Sequence, residues 1–295
     1  MCVHAALVNW ASIMSKLSEK PSGILYVVAT PIGNQKDFSA RAGEVLGHVD
    51  VIAAEDTRRI RRLLSSIAPH TRVIAYHEHN EDQRMQGLLK QLSDGQSIAL
   101  VSDAGTPLIS DPGWSLVRAA LDDGIQVSSI AGPSAVTAAL SVSGLPSDRF
   151  VFEGFLSRRK GQRATQLKSM ASELRTMIFF ESVHRLRDFI AALSAQFGSA
   201  RPATIIRELT KTHESIYRGS LSELEQQLDG EIPLLGEFVV IVAGASKPET
   251  ADAAELRRIF DLLNAVLSPQ QALSLCADIT GVPRNTIYRL TRLEN

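Results

Sequence analysis

The feature that most constrains the fold is a turn rich in glycine and proline that follows an apolar run. Residues 101–113 read VSDAGTPLISDPG and extend the run Ile98–Val101. Glycines in such a turn leave backbone donors and acceptors accessible, and open α/β sheets bind small ligands at the ends of their strands. The pattern predicts a buried strand that ends in a ligand-binding turn. A purely architectural turn has the same composition, so the neighbouring segments must decide.

Two further turns of this kind accompany it. Residues 24–29 form an apolar run that exits through TPIGN, and residues 127–130 run into GPSA at 132–135. The small apolar residues that follow Pro133 suit a helix with proline at its first position. Three predicted strands therefore end in ligand-compatible turns within one stretch of chain.

The spacing of apolar residues predicts two α/β units. Short apolar runs alternate with helical periodicity up to Ser143, which indicates a mainly parallel sheet covered on both faces. After LPS at 145–147 a second unit follows, and no segment of helix length separates 208 from 220, so we expect an antiparallel strand pair and a mixed sheet there. The predicted strands are 24–29, 51–54, 73–75, 98–101 and 126–130, then 150–153, 177–180, 204–207, 215–218 and 238–243.

Helical periodicity places helices between the first strands and again in the tail. The predicted helices are 39–48, 56–66, 81–93 and 112–123, and in the tail 253–266, 269–278 and 284–293. The last two, joined by TGVP, resemble a helix-turn-helix, although a helical hairpin packed on the body has the same pattern. We therefore predict a flexible segment over 1–22, α/β domains over 23–144 and 145–245, and a helical tail over 250–295.

Composition limits the possible partners. The chain has 295 residues, 44% of them hydrophobic, and a formal net charge of −1. These values predict folded cores and argue against indiscriminate coating of nucleic acid, so any RNA contact must come from local basic clusters. Arginines are concentrated at 58–62 and, with a lysine, at 158–163.

Other classes lack their signatures. The two cysteines, Cys2 and Cys276, have no partner at metal-ligand spacing, so we expect neither a zinc site nor a disulfide framework. Neither a membrane-spanning apolar run nor a secretory signal is evident, which makes the cytoplasm the expected location. Neither G-x-G-x-x-G nor a P-loop occurs, which argues against a dinucleotide fold or a P-loop ATPase.

Seven motifs in one order resemble the tetrapyrrole methylase superfamily, and within it the methyltransferases of small-subunit ribosomal RNA. They are VATPIGN, AAEDTRR, VSDAGTPLISDPG, AGPSA, FFESVHR, RELTKTHE and GEFVVIVAG. The resemblance implies two α/β domains with the active site in the cleft between them. It also implies S-adenosylmethionine as cofactor and the ribose 2′-hydroxyl of a cytidine in the decoding region as acceptor.

Glycine-rich turns suit this cofactor, because they offer backbone amides and carbonyls without a charged side chain. The resemblance places the cofactor against residues of both domains. They are Pro31, Asp103, Gly105, Thr106, Ile109, Ser134, Ala135, Ser182 and Gly236. Relatives that modify tetrapyrroles have a Gly-Asp-Pro turn here, and either Asp103 or the segment 105–107 is its counterpart.

Methyl transfer to a ribose hydroxyl needs a group that removes a proton or stabilises charge. The candidates are Glu208, Lys211 and Glu181, although the first two could form a simple surface ion pair. For RNA we expect Arg58, Arg61 and Arg62 on one helix face, with Arg59 turned away. The other predicted RNA contacts are His77, His79, Asn80 and Arg185. The Asn80 side chain is also expected to cap the helix that follows it.

Two histidines one residue apart hint at a metal, but a third ligand is not evident and methyl transfer needs none, so we expect no metal. The expected partners are small-subunit ribosomal RNA and, from the habit of the superfamily, a second copy of the chain. A precorrin-type tetrapyrrole methylase is the first rival, and the arginine clusters argue against it. A catalytically silent RNA-binding protein is the second rival, and it leaves three ligand-type strand ends without a purpose.

Overall fold

A computed structural model describes residues 23–65, 70–246 and 253–292. The segment 1–22, predicted to be flexible, lies outside these residues. The described chain forms two five-stranded sheets with their helices, followed by three helices. This confirms the predicted α/β class with a parallel sheet, a mixed sheet and a helical tail.

The first sheet is wholly parallel. Its strand order is β3-β2-β4-β1-β5, with every neighbouring pair parallel. The strands are β1 (Ile24–Val28), β2 (Val51–Ala54), β3 (Arg72–Ala75), β4 (Ile98–Val101) and β5 (Gln126–Ile130). The helices are α1 (Ala40–His48), α2 (Thr57–Leu64), α3 (Glu81–Ser93), α4 (Trp114–Asp122) and α5 (Ala135–Ser143).

Helices cover both faces of this sheet. Leu46 of α1 and Ile60 of α2 pack on one face, whereas Leu88 of α3 and Leu116 of α4 pack on the other. Strands β2 and β4 are consequently buried along their whole length. A strand covered on both sides reads as a continuous apolar run, which is why these strands were visible in the sequence.

The second sheet is mixed, in the order β6-β7-β10-β8-β9. Only its β6–β7 pair is parallel, and β8 and β9 form the predicted antiparallel pair. The strands are β6 (Phe150–Gly154), β7 (Thr176–Ser182), β8 (Pro202–Arg207), β9 (Ser215–Ser220) and β10 (Glu237–Val242). The helices are α6 (Lys160–Met170), α7 (Leu186–Phe197) and α8 (Leu221–Gln227).

Helix α5 joins the two units. It begins directly after the last strand of the first sheet, yet its buried residues Val136, Ala139 and Leu140 pack on the second sheet. The Thr204 hydroxyl donates a 2.9 Å hydrogen bond to the Ser143 carbonyl at the end of this helix. The strand-end turns of the first unit are thereby held against the second sheet.

The tail has a small core of its own. Helices α9 (Ala253–Asn264), α10 (Pro269–Thr280) and α11 (Arg284–Arg292) enclose Leu256, Cys276 and Ile287. Gly281 ends α10 in the left-handed conformation, with φ of +69°, which glycine adopts without steric cost. None of the described helices has both the length and the apolar character needed to span a bilayer.

Candidate active site

A cavity of about 350 Å³ lies between the two units. We call it the central cavity. Small residues and backbone form much of its wall on the side of the first sheet, and apolar side chains of the second sheet form much of the other side. Its lining includes Ile32, Ala104, Gly105, Thr106, Ile109, Ser134, Ala135 and Val136, with Phe155, Phe180, Glu181, Ser182, Val183, Ile206, Leu209, Gly236, Glu237, Phe238 and Val239.

The turns that line the central cavity meet because their strands are neighbours. Strand β1 lies between β4 and β5, so the turns after all three leave one edge of the sheet side by side. Thr30 and Gly105 then pair as an antiparallel bridge, with N–H···O distances of 2.9 and 3.0 Å. Gly105 has φ of +82°, a conformation that residues with a Cβ rarely adopt.

The loop after β4 is strained. Leu108 and Ser110 have φ of 73° and 64°, although neither is a glycine. Such conformations cost free energy and concentrate at ligand sites. Ser134, at the start of α5, makes no side-chain capping bond, which leaves backbone N–H groups of this helix end available at the cavity.

Most of the residues predicted to hold a cofactor lie together in this cavity. Gly105, Thr106, Ile109, Ser134, Ala135, Ser182 and Gly236 all line it. Pro31 and Asp103 do not. They lie on the other side of the Thr30–Gly105 bridge, in a second cavity of about 340 Å³. The lining changes from one cavity to the other between Pro31 and Ile32 and between Asp103 and Ala104.

We call the second cavity the arginine pocket. It is lined by Thr30, Pro31, Gly33, Gln35, Arg59, Ile60, Arg62, Leu63, Ser102 and Asp103. The spacing predicted that Arg59 turns away from the face of Arg58, Arg61 and Arg62. In the structure Arg59 and Arg62 lie three positions apart on α2 and both line this pocket. Neither Arg58 nor Arg61 belongs to its lining.

Two carboxylates fix the start of α2. Asp56 caps the helix by accepting from the Arg58 backbone N–H at 2.8 Å, and its carboxylate also binds the Arg58 guanidinium. These hydrogen bonds lower the pKa of Asp56 to about 2. Asp103 accepts from the Asp56 backbone N–H at 2.9 Å and lies 3.4 Å from Nη1 of Arg59.

The predicted catalytic residue Glu181 and the predicted RNA contact Arg185 are bound to each other. Their two hydrogen bonds measure 2.8 and 2.7 Å, and the Glu181 side chain is completely buried. Arg185 also donates to the Leu156 carbonyl at 3.0 Å. Both oxygens of the Glu181 carboxylate are occupied by the Arg185 guanidinium, so this geometry favours a role in supporting the cavity wall.

Glu208, Lys211 and Glu237 form a cluster at the rim of the central cavity. Lys211 Nζ lies 2.8 Å from Glu208 Oε1 and 2.9 Å from Glu237 Oε2. Burial alone lowers the pKa of Lys211, but hydrogen bonds to the two carboxylates outweigh it and raise the pKa. Burial likewise raises the pKa of Glu208, whereas hydrogen bonds from Lys211 and the Glu237 backbone lower it by more. Lys211 is therefore a cation at neutral pH, beside an ionised Glu208.

The chain near Glu208 is also strained, with φ of 51° at Glu208 and 66° at Thr210. Gly236 permits this arrangement, because a Cβ there would lie 2.5 Å from Glu208 Cδ. Glu237 was not predicted as a site residue. It is a strand residue opposite Ser182 in the second sheet, and only the sheet register brings it to Lys211.

Hydrogen bonds of the Asn80 side chain stabilise the YHEHNE segment at 76–81. Asn80 occupies the N-cap of α3 but makes no capping bond, and its side chain instead binds the His77 backbone N–H and the Ala75 carbonyl. The expectation of side-chain capping is therefore wrong. His79 is exposed, whereas Nδ1 of His77 is buried without a hydrogen-bond partner among the described residues. The described residues contain no cluster of three side chains suited to a metal ion.

A third cavity, of about 430 Å³, is acidic. Its charged residues are Glu55, Glu78, Glu81 and Asp111. Burial raises the pKa of Asp111 to about 6, helped by the nearby charges of Glu55 and Asp103 and opposed by a hydrogen bond with Ser102. This shift could not be predicted from the sequence, because the burial of Asp111 depends on how the chain packs.

The sequence matches the models of two known protein families. Residues 24–225 match the model of the tetrapyrrole (corrin/porphyrin) methylases, which is more than half of the chain. The chain belongs to the tetrapyrrole methylase family. Residues 250–291 match the model of the RsmI C-terminal HTH domain, a family of helix-turn-helix domains.

Relatives in this family match almost the whole chain. Ribosomal RNA small subunit methyltransferase I of Xylella fastidiosa is 49% identical over 267 residues, covering 90% of this chain and 98% of the relative. The protein of the same name from Escherichia coli O157:H7 is 46% identical, covering 92% of this chain and 96% of the relative.

Solved structures share the fold. A diphthine synthase superposes with a TM-score of 0.59 at 18% identity, covering 75% of this chain and 90% of that one. A uroporphyrin-III C-methyltransferase from Thermus thermophilus, complexed with S-adenosyl homocysteine, superposes with a TM-score of 0.53 at 18% identity. It covers 75% of this chain and 97% of that one.

The raised pKa of Asp111 predicts a pH-dependent effect on stability. A carboxyl whose pKa is higher in the folded state than in the unfolded state destabilises the fold as it ionises, and this cost is complete above the folded pKa. Asp111→Asn should therefore gain more in melting temperature, relative to the parent, at about pH 7 than at about pH 4. Asp148→Asn is the control, because Asp148 is exposed. Equal gains for Asp111→Asn at both values would contradict the assignment.

Proposed function

We propose that the chain transfers a methyl group from S-adenosylmethionine to small-subunit ribosomal RNA, at the 2′-hydroxyl of a cytidine in the decoding region. The observation that carries this proposal is the central cavity, where turns from three adjacent strand ends meet the second sheet of a tetrapyrrole methylase fold. The match covers more than 95% of the length of these relatives, and their name, ribosomal RNA small subunit methyltransferase I, supports RNA as the substrate.

The cavity residues fit this cofactor. The volume of about 350 Å³ lies in the range typical of small-ligand sites, about 300–1,000 Å³. Gly105, Thr106 and Ala135 would hold the cofactor through backbone groups, and Ile109 and Ser182 would close the apolar slot. The free N–H groups at the start of α5 suit the cofactor carboxylate. When bound, S-adenosylmethionine supplies the methyl group on a sulfonium.

Positioning provides much of the rate enhancement in such a displacement, since no covalent intermediate with the enzyme is needed. The ribose hydroxyl is nevertheless a poor nucleophile and must lose its proton. We assign this task to the cluster of Glu208, Lys211 and Glu237. The Lys211 ammonium stabilises the developing negative charge on oxygen, and the carboxylates beside it accept the proton.

The tetrapyrrole rival does not explain the rest of the chain. A macrocycle needs a broad apolar cavity, whereas a second pocket lined by arginines lies next to the central cavity. A small-molecule substrate also does not explain why residues 250–291 match a helix-turn-helix domain. We further propose that the protein works in the cytoplasm as a homodimer and that it needs no metal.

The cofactor assignment is tested by filling the cavity. Ala135→Leu places a larger side chain in the lining and should abolish binding of S-adenosylmethionine in titration calorimetry, where the parent shows one site per chain. Thr137→Leu, on the exposed side of the same helix, should keep the affinity within about twofold. A folded Ala135→Leu protein that binds normally would refute the pocket.

The catalytic assignment predicts a loss of turnover without loss of cofactor. Lys211→Met retains the aliphatic stem but removes the charge, so kcat on small ribosomal subunits should fall by about 100-fold, while the Kd for S-adenosylmethionine changes by less than about threefold. Lys211→Arg should recover part of kcat because the charge is kept. If Lys211→Met raised KM for the subunits and left kcat intact, Lys211 would be an RNA contact.

The homodimer is tested by light scattering at micromolar concentration. The expected mass is twice the 32.1 kDa of the chain, because the superfamily resemblance implies a paired assembly. A single species at 32.1 kDa would remove the dimer from the proposal.

A further inference from the structure

We propose that the arginine pocket binds a nucleotide of the substrate RNA adjacent to the one that is methylated, with Arg59 and Arg62 holding its phosphate. This assignment rests on the proposed function. The pocket has room for a nucleotide, at about 340 Å³, and is distinct from the central cavity.

The three cavities described above differ in the charge of their lining. Cationic side chains line the arginine pocket, namely Arg59 and Arg62, opposed by the single carboxylate of Asp103. The charged residues of the central cavity are Glu181 and Glu237, and those of the third cavity are four carboxylates. Phosphate contacts dominate the affinity for RNA, so the RNA backbone is drawn to the pocket that carries arginines.

Both arginines have donors to spare. Arg59 makes one contact of 3.4 Å to Asp103, and its side chain is 63% exposed. The Arg62 guanidinium has neither an ion pair nor a hydrogen bond within the residues that the structure describes. Arg58, by contrast, is bound through two nitrogens to Asp56. The planar guanidinium fork matches two phosphate oxygens, so Arg59 and Arg62 are the better phosphate ligands.

Asp103 acts as a positioning residue for this pair. One carboxylate oxygen accepts from the Asp56 backbone N–H, which ties the start of α2 to the loop after β4. The other oxygen faces Arg59. Since the contact between Asp103 and Arg59 is long, a phosphate can bind the Arg59 guanidinium while Asp103 keeps its hydrogen bond to the Asp56 backbone N–H.

The two cavities lie on opposite sides of one wall. Thr30, Pro31 and Gly33 line the arginine pocket, whereas the intervening Ile32 lines the central cavity. Gly33 also lies close to Lys211, since a Cβ at position 33 would be 2.4 Å from Lys211 Cγ. A single strand of RNA that passes over Gly33 therefore places one nucleotide at the Lys211 cluster and the neighbouring nucleotide in the arginine pocket.

The test compares two pairs of arginines on one helix. The substrate is small ribosomal subunits from a strain that lacks this methylation, and transfer of a labelled methyl group gives kcat and KM. Arg59→Ala with Arg62→Ala should raise KM for the subunits by at least about tenfold. The same change should reduce the salt slope of binding by about 0.7, since the two arginines hold one phosphate and each phosphate contact on a single strand contributes about 0.7. The Kd for S-adenosylmethionine should change by less than about twofold, because the cofactor cavity is untouched.

The matched control is Arg58→Ala with Arg61→Ala, which removes the same charge from the same helix outside the pocket. It should raise KM by less than about threefold. The pair Arg59→Lys and Arg62→Lys keeps the charge without the planar fork and should lie between the parent and the alanine pair. Circular dichroism checks that every variant folds.

The outcomes separate the two proposals. If the parent enzyme transfers no methyl group to the subunits, the proposed function is wrong and this assignment falls with it. If the parent methylates them and both alanine pairs give the same KM, RNA does not use the pocket. If the Arg59 and Arg62 pair keeps the parent KM and salt slope, the two arginines form a solvated surface and the assignment is overturned.

Discussion

The whole site depends on one pair of backbone hydrogen bonds, those between Thr30 and Gly105. They join the exits of β1 and β4 after the sheet itself has ended, and so turn two loops into a wall. Residues beside this bridge line the arginine pocket on one side and the central cavity on the other, so the wall has two different faces. Glycine is required at position 105 because φ there is +82°. Any larger residue would strain the bridge that separates the central cavity from the arginine pocket.

Strand order explains why three turns that are distant in sequence cooperate. In a parallel sheet every strand delivers its carboxyl end to the same edge, and β1 is inserted between β4 and β5. Helix α5 then leaves this edge and packs on the second sheet, so the second unit becomes the opposite wall. The cavity is therefore a consequence of topology, and each loop contributes backbone groups without needing a charged side chain.

Much of this architecture could be predicted from the sequence, because burial on both faces leaves a readable pattern. Strands β2, β4 and β5 begin and end at the predicted residues, and so does α3. What could not be predicted depends on contacts between distant residues. The orientation of Arg59 follows from Asp103, the role of Glu237 follows from the register of β10, and Arg185 is bound to Glu181. A helical-wheel argument places arginines around an isolated helix but cannot tell which side faces a cavity.

The distribution of charge follows from the same geometry. Lys211 is held between two carboxylates at the rim of the central cavity, so one positive and two negative charges leave this cluster with a formal net charge of −1. Arg59 and Arg62 lie on the other side of Gly33, in a pocket whose lining contains one carboxylate, that of Asp103. Two positive charges and one negative charge line the arginine pocket, so a polyanion is attracted to this pocket and not to the Lys211 cluster. If RNA is the substrate as proposed, this asymmetry draws the phosphate of the flanking nucleotide to Arg59 and Arg62 and leaves Lys211 with its two carboxylates beside the nucleotide that is methylated.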